Sequence, residues 1–117
     1  MEHVSRIAIA MLAAAAIAAG CASAPLKTEA STSGIRAAEE VGAADVPQAS
    51  LHLQLAKEEL GSAQKLAAND EKEMADSMLM RAEVDAELAV ALSREDAEKT
   101  EARAQVERVR NLRQDNK

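Results

Sequence analysis

The sequence predicts an all-α protein: an antiparallel helical hairpin of two to three helices, the last one long, following a signal peptide and a flexible tether. Three observations predict the hairpin. Ala49, Leu53, Ala56, Leu60, Ala63 and Ala67 recur at alternating steps of four and three, and Ala75, Leu79, Ala82, Ala86 and Ala89 repeat those steps. That spacing is the a/d stripe of a coiled coil, which buries one face of a helix against another. No run alternates with period two, the pattern of a half-buried strand. The 117 residues contain no Phe, Tyr or Trp, so the core must be built from Leu, Val, Met and much Ala. Alanine on both stripes lets two backbones approach closely.

Residues 1–20 read as a leader. Arg6 and the free N-terminus supply a basic start, Ile7 to Ala19 is almost wholly aliphatic, and the run closes on Ala18-Ala19-Gly20-Cys21. A basic start, a short apolar stretch and a small-residue exit describe a secretory signal peptide. The run is shorter than the roughly 20 apolar residues of a membrane-spanning helix. These residues resemble the lipobox of bacterial lipoproteins, with Ala18 where that motif usually has Leu, Val or Ile. The resemblance implies that the Cys21 thiol receives a diacylglycerol, that the leader is cut before it, and that the new amine is acylated. One acyl chain binds a bilayer only marginally; three on one residue hold firmly. Ala22 and Ser23 replace the Asp that retains lipoproteins of enteric bacteria in the inner membrane. The expected location is therefore the outer membrane, facing the periplasm, rather than the inner membrane.

Without residues 1–20 the chain has 97 residues and keeps its net charge of −6. An acidic chain lacks the basic patch that opens a nucleic-acid reading. Cys21 is the only cysteine and makes no internal disulfide. A core this small is marginal, so modest stability or a homo-oligomer that adds buried area is expected.

Residues 21–33 form the lipidated cysteine and tether, small and polar with Pro25, Thr28, Ser31, Thr32 and Ser33. Residues 34–113 form the helical hairpin domain, and 114–117 fray. A first helix is expected from Ile35 to about Ala44, opened by Ser33-Gly34 and interrupted by Gly42 and Asp45-Val46-Pro47. Asp45 suits the N-cap and Pro47 the first turn of a second helix reaching about Ala67. Asn69-Asp70 then breaks the pattern and caps a third helix, from about Glu71 to Leu112. Glu95 and Lys99 form an i,i+4 pair in the favourable order. A turn at residue 69 pairs residues whose numbers sum to about 138, at equal rise per residue on both arms. Leu60 then meets Met78, and Leu53 lies near Asp85 and Ala86. The second helix is about 30 Å long and the third about 60 Å. The first helix is expected to extend the second as one bent arm, with Ile35 to Val41 facing Ala97 to Arg103.

Two segments carry a family resemblance. One is Ala37-Ala38-Glu39-Glu40-Val41-Gly42-Ala43, followed by Pro47, Leu55-Ala56-Lys57-Glu58-Glu59-Leu60, Ala63 and Leu66-Ala67. The other is Arg81-Ala82-Glu83-Val84-Asp85-Ala86-Glu87-Leu88-Ala89. Together they resemble domain-of-unknown-function family 4398 over about residues 33–95, with Val46 where that family often has an aromatic. The resemblance implies a small helical domain of an envelope lipoprotein with no established activity.

Residues that carry chemistry are few. Beyond His3 in the leader, His52 is the only histidine, without the three or four ligands that zinc needs; it reads as a surface residue beside the stripe. Glu39/Glu40, Glu58/Glu59 and Glu83/Glu87 are paired acids of the kind acidic helices produce freely. No catalytic residue, cofactor site or metal site is assigned. Met74, Met78 and Met80 are soft thioethers that suit Cu(I) or fill core gaps. Arg103, Arg108, Arg110, Arg113 and Lys117 make the C-terminal end basic beside a narrow stripe of Ala102, Val106, Val109 and Leu112. Such an end suits anionic lipid, a partner helix or the cell-wall polymer. A final lysine also resembles the murein lipoprotein, which joins its last lysine to peptidoglycan. The expected function is a non-enzymatic envelope lipoprotein, held to the membrane by its N-terminal lipid and presenting a helical surface to an envelope protein or to peptidoglycan. One alternative is a peptidoglycan-linked spacer; a second is a periplasmic carrier of a metal or small ligand.

Overall fold

A computed structural model describes residues 24–116. The expectations for the leader, for Cys21 and for Lys117 lie outside the described residues. The described chain is all-α. Helix α1 spans Glu29–Glu40, a 3₁₀ turn Ala43–Asp45, α2 Pro47–Ala68 and α3 Lys72–Asp115. At about 1.5 Å per residue, α2 is about 33 Å long and α3 about 66 Å.

α2 and α3 form the expected antiparallel hairpin. Ala49, Leu53, Ala56 and Ala63 are buried on one arm, and Ala75, Leu79, Ala82, Ala86 and Ala89 on the other. The bridges His52–Asp85 and Glu59–Arg81 fall in the expected register. The stripe on α2 differs in two places: Glu59 is buried where Leu60 was expected, with Leu60 half-buried, and Ala67 at the end of the helix is only half-buried. A straight helix turns slightly less than a strict seven-residue repeat, and Glu59 lies one step back around the face.

Both expected caps are corrected. Val46, not Asp45, stands at the start of α2, extended at φ −104° and ψ 114° without a side-chain cap bond. Pro47 is the cause, because its ring pushes the preceding residue into extended conformation. Asp45 sits in the 3₁₀ turn, its N–H donating to the Gly42 carbonyl. At the hairpin turn Asp70 is left-handed, φ 62°, and Glu71 N–H donates to the Leu66 carbonyl at 2.9 Å. That six-to-one bond with a left-handed residue inside it closes the end of α2. Asp70 therefore finishes α2 rather than capping α3, which starts after Glu71 with no side-chain cap bond.

The first helix departs most from expectation. α1 begins at Glu29, so residues 29–33 of the expected tether are helical. It does not prolong α2. Gly42, left-handed at φ 77°, ends α1 with its N–H on the Glu39 carbonyl at 3.1 Å, and the chain reverses. α1 then runs back beside the first half of α3. Ser31 Oγ donates to the Leu79 carbonyl at 3.1 Å. A Cβ on Gly34 would stand 3.0 Å from Ala86 Cβ. The expected contact of Ile35–Val41 with Ala97–Arg103 is absent, and residues 94–116 are all exposed. The physical reason is size and polarity. Ser31, Gly34, Ile35 and Ala38 offer a narrow face to the alanine stripe of α3, whereas Arg94 to Arg103 offers almost nothing apolar.

The core is consequently thin. Among the described residues, nine of the twelve buried apolar side chains are alanines; only Ile35, Leu53 and Leu79 are larger. The three helices pack over residues 29–93, and α3 continues alone for about 33 Å more.

Candidate functional site

Two places hold side chains that the packing does not explain. The first is a polar cluster between α2 and α3. His52 Nδ1 lies 2.7 Å from Asp85 Oδ1, so the ring N–H donates to the carboxylate. One turn along, Arg81 donates to Glu59 Oε1 at 2.9 Å. Glu59 is 7 % exposed, and its Oε2 is buried without a hydrogen-bond partner. Burial raises the Glu59 carboxyl above its ordinary value, the neighbouring Asp85 raises it further, and Arg81 opposes both. His52 is thus a half-buried partner in an interhelical pair rather than the surface histidine expected from its spacing. Sequence reasoning missed Glu59, Arg81 and Asp85 as a group; the hairpin register was the signal that could have found them.

The cluster has the residue types of acid–base chemistry without its geometry. His52 donates to Asp85 as in a hydrolytic triad, yet among the described residues it makes no hydrogen bond to a hydroxyl or thiol nucleophile. No group of three or more His, Cys, Asp or Glu that could hold a metal occurs among the described residues. Met74 and Met80 are exposed, and Met78 is half-buried. The spacing puts Met80 on a different face of α3 from Met74 and Met78.

The second place is the free half of α3. Val106, Val109 and Leu112 are exposed beside Arg108, Arg110 and Arg113. Arg110 bonds Glu107 at 2.6 Å and Lys99 bonds Glu95 at 2.5 Å, both pairs within the helix. Gln105, Val106, Val109, Arg110, Arg113 and Gln114 line a shallow depression. It is a surface of one helix rather than an enclosed cavity, because no second element faces it. This half of α3 buries nothing of the fold, and its apolar side chains are exposed.

The two ends of the molecule are distinct. Ala24, Pro25, Leu26 and Lys27 lie against Ala67, Lys72 and Asp76, beside the α2–α3 turn. The basic end of α3 is at the other extreme. No helix among the described residues is long and apolar enough to cross a membrane. The chain matches no protein-family profile, no curated protein and no solved structure.

Proposed function

We propose that this chain is a non-enzymatic lipoprotein of the bacterial envelope. It is anchored through Cys21 to the outer membrane, facing the periplasm, and its work is to present α3 to a partner. The observation that carries this reading is the free half of α3. A helix of about 33 Å that buries nothing of its own fold yet exposes Val106, Val109 and Leu112 has its use outside the fold. The leader pattern ending at Cys21 supplies the anchor. Crosslinking in intact cells followed by mass spectrometry of the purified chain tests the reading. It predicts acyl chains on Cys21 and protein crosslinks concentrated on residues 94–116. Crosslinks spread evenly over α1, α2 and α3 would contradict the interaction surface.

A second reading is favoured by the opposite placement of the two ends: α3 spans from an anchored bundle toward the wall, with Lys117 joined to peptidoglycan. It predicts muropeptide remnants on Lys117 after lysozyme digestion, lost when Lys117 is deleted.

A further inference from the structure

α3 carries a second apolar stripe on the face opposite the core. Met80, Val84 and Leu88 are 69, 62 and 39 % exposed there, and Val106, Val109 and Leu112 are 58, 48 and 57 % exposed on the free half. The two patches share one line. Val84, Leu88 and Ala91 precede Ala102, Val106 and Val109 by 18 residues, which is about five full turns. Neither α1 nor α2 covers the first patch, and the second extends past both. Charge is also divided along the helix. Acids outnumber bases between Arg81 and Glu101, whereas Arg103 to Arg113 holds four arginines and one acid, Glu107.

We propose that the occupant of this face is a second copy of the chain, with the two α3 helices antiparallel and the free half of each lying on the outward face of the other's bundle. The inference rests on the reading of α3 as an interaction surface and names its partner. A register in which paired residue numbers sum to about 193 forms the layers of a two-stranded antiparallel coil. Val84 of one copy then meets Val109 of the other, and Ala91 meets Ala102. The same register sets Glu87 beside Arg108 of the other copy and Arg94 beside Glu101, and the two-fold axis repeats each pair. A parallel pairing would stack the arginine-rich ends on one another, and like charges in register are repulsive. The centre is the weak layer. Glu95 of one copy meets Glu98 of the other, with Lys99 already bonded to Glu95. These are like charges, whose repulsion the Lys99 partner offsets only in part, so this layer lowers affinity.

Disulfide trapping tests the arrangement. The full chain is purified from membranes in detergent and oxidised with copper phenanthroline; the unsubstituted chain, whose only cysteine is Cys21, is the control. Ala91 and Ala102 are exposed, so cysteine at either leaves the core intact. Differently tagged Ala91→Cys and Ala102→Cys chains, mixed, are expected to yield at least about tenfold more crosslinked dimer than either alone. Arg108→Glu is expected to reduce that yield, and Glu87→Arg in the same chain to restore it. Equal yield from same-position pairs would show parallel or random contact, and no crosslink at all would assign the face to a different protein or to lipid; either overturns the proposal. So does a charge swap that fails to restore the dimer. Intact mass of the same preparation separates the two claims. An unlipidated chain that crosslinks keeps the dimer and removes the anchor, and a lipidated chain that does not crosslink does the reverse.

Discussion

Two glycines within helices respond oppositely to the same substitution. Gly61, inside α2, has nothing within 4 Å of where a Cβ would stand. Alanine there removes the helix penalty of glycine, so Gly61→Ala is expected to raise stability by about 0.5–1 kcal/mol. Gly34 gains the same propensity, but its new Cβ would stand 3.0 Å from Ala86 Cβ, an atom fixed to the backbone of α3. α1 must then move off the stripe and loosen Ser31 and Ile35, so Gly34→Ala is expected to lower stability. Urea midpoints of the two variants, moving in opposite directions, are the check.

Glu59 makes the thin core sensitive to pH. Its folded-state value is raised above 4.5, so the folded chain keeps this proton where the unfolded chain has lost it. Its contribution is full below the unfolded value and is lost as pH rises through the folded one. Between about pH 4.5 and neutrality the wild-type midpoint should fall relative to that of Glu59→Gln, which has no such group. Glu59→Met, apolar and of similar length, should raise stability at neutral pH by about 1 kcal/mol, since a buried carboxylate with one free oxygen is costly. A Glu59→Gln profile parallel to wild type would show that the carboxyl titrates as an exposed one.

At the scale of elements, α3 is two structures in one helix. Up to Ser93 it is the wall against which α1 and α2 pack; beyond Ser93 none of its described side chains is buried. At concentrations where the full chain is monomeric, a chain ending at residue 93 should therefore unfold within about 0.5 kcal/mol of it, while losing helical signal in proportion to the residues removed. Amide exchange of the monomer should show the same division, with residues 94–115 opening at much lower free energy than residues 79–93, and pairing of two copies should reduce the difference.

The hairpin itself was legible because alanine and leucine recur at steps of three and four on both arms, and because Asn69-Asp70 interrupts the pattern between them. The place of α1 was not legible. Gly42 and Pro47 signal a break but not its angle, and a kink and a full reversal share those residues. Treating Ser31, Thr32 and Ser33 as tether hid the narrow face that draws α1 onto α3; small polar residues serve a linker and a close helix contact equally well. Within the polar cluster, His52 was visible as a residue and invisible as a pair, since its partner comes from the other arm.

At the scale of the whole molecule, the proposed anchor and the proposed binding surface lie at opposite ends. Ala24–Lys27 lies beside the α2–α3 turn, and the exposed half of α3 points away from it. An antiparallel pair of chains would carry its two anchors at opposite ends, so that lipids inserted in one leaflet lay the paired α3 helices along the bilayer. A wall-linked spacer would instead need α3 to stand away from it. Cys21→Ser should block processing and leave the leader attached, whereas removal of residues 94–117 should leave membrane attachment intact and abolish partner crosslinks. Fractionation of the two variants, with chain mass in each fraction, distinguishes anchoring from binding.

The anchor is the claim on which the orientation depends, and intact mass of the chain purified from its native membranes tests it most directly. The account predicts a polypeptide that starts at Cys21 and carries the added mass of a diacylglycerol and an amide-linked acyl chain. A polypeptide with a different first residue, or one that starts at Cys21 with a bare thiol, would contradict it.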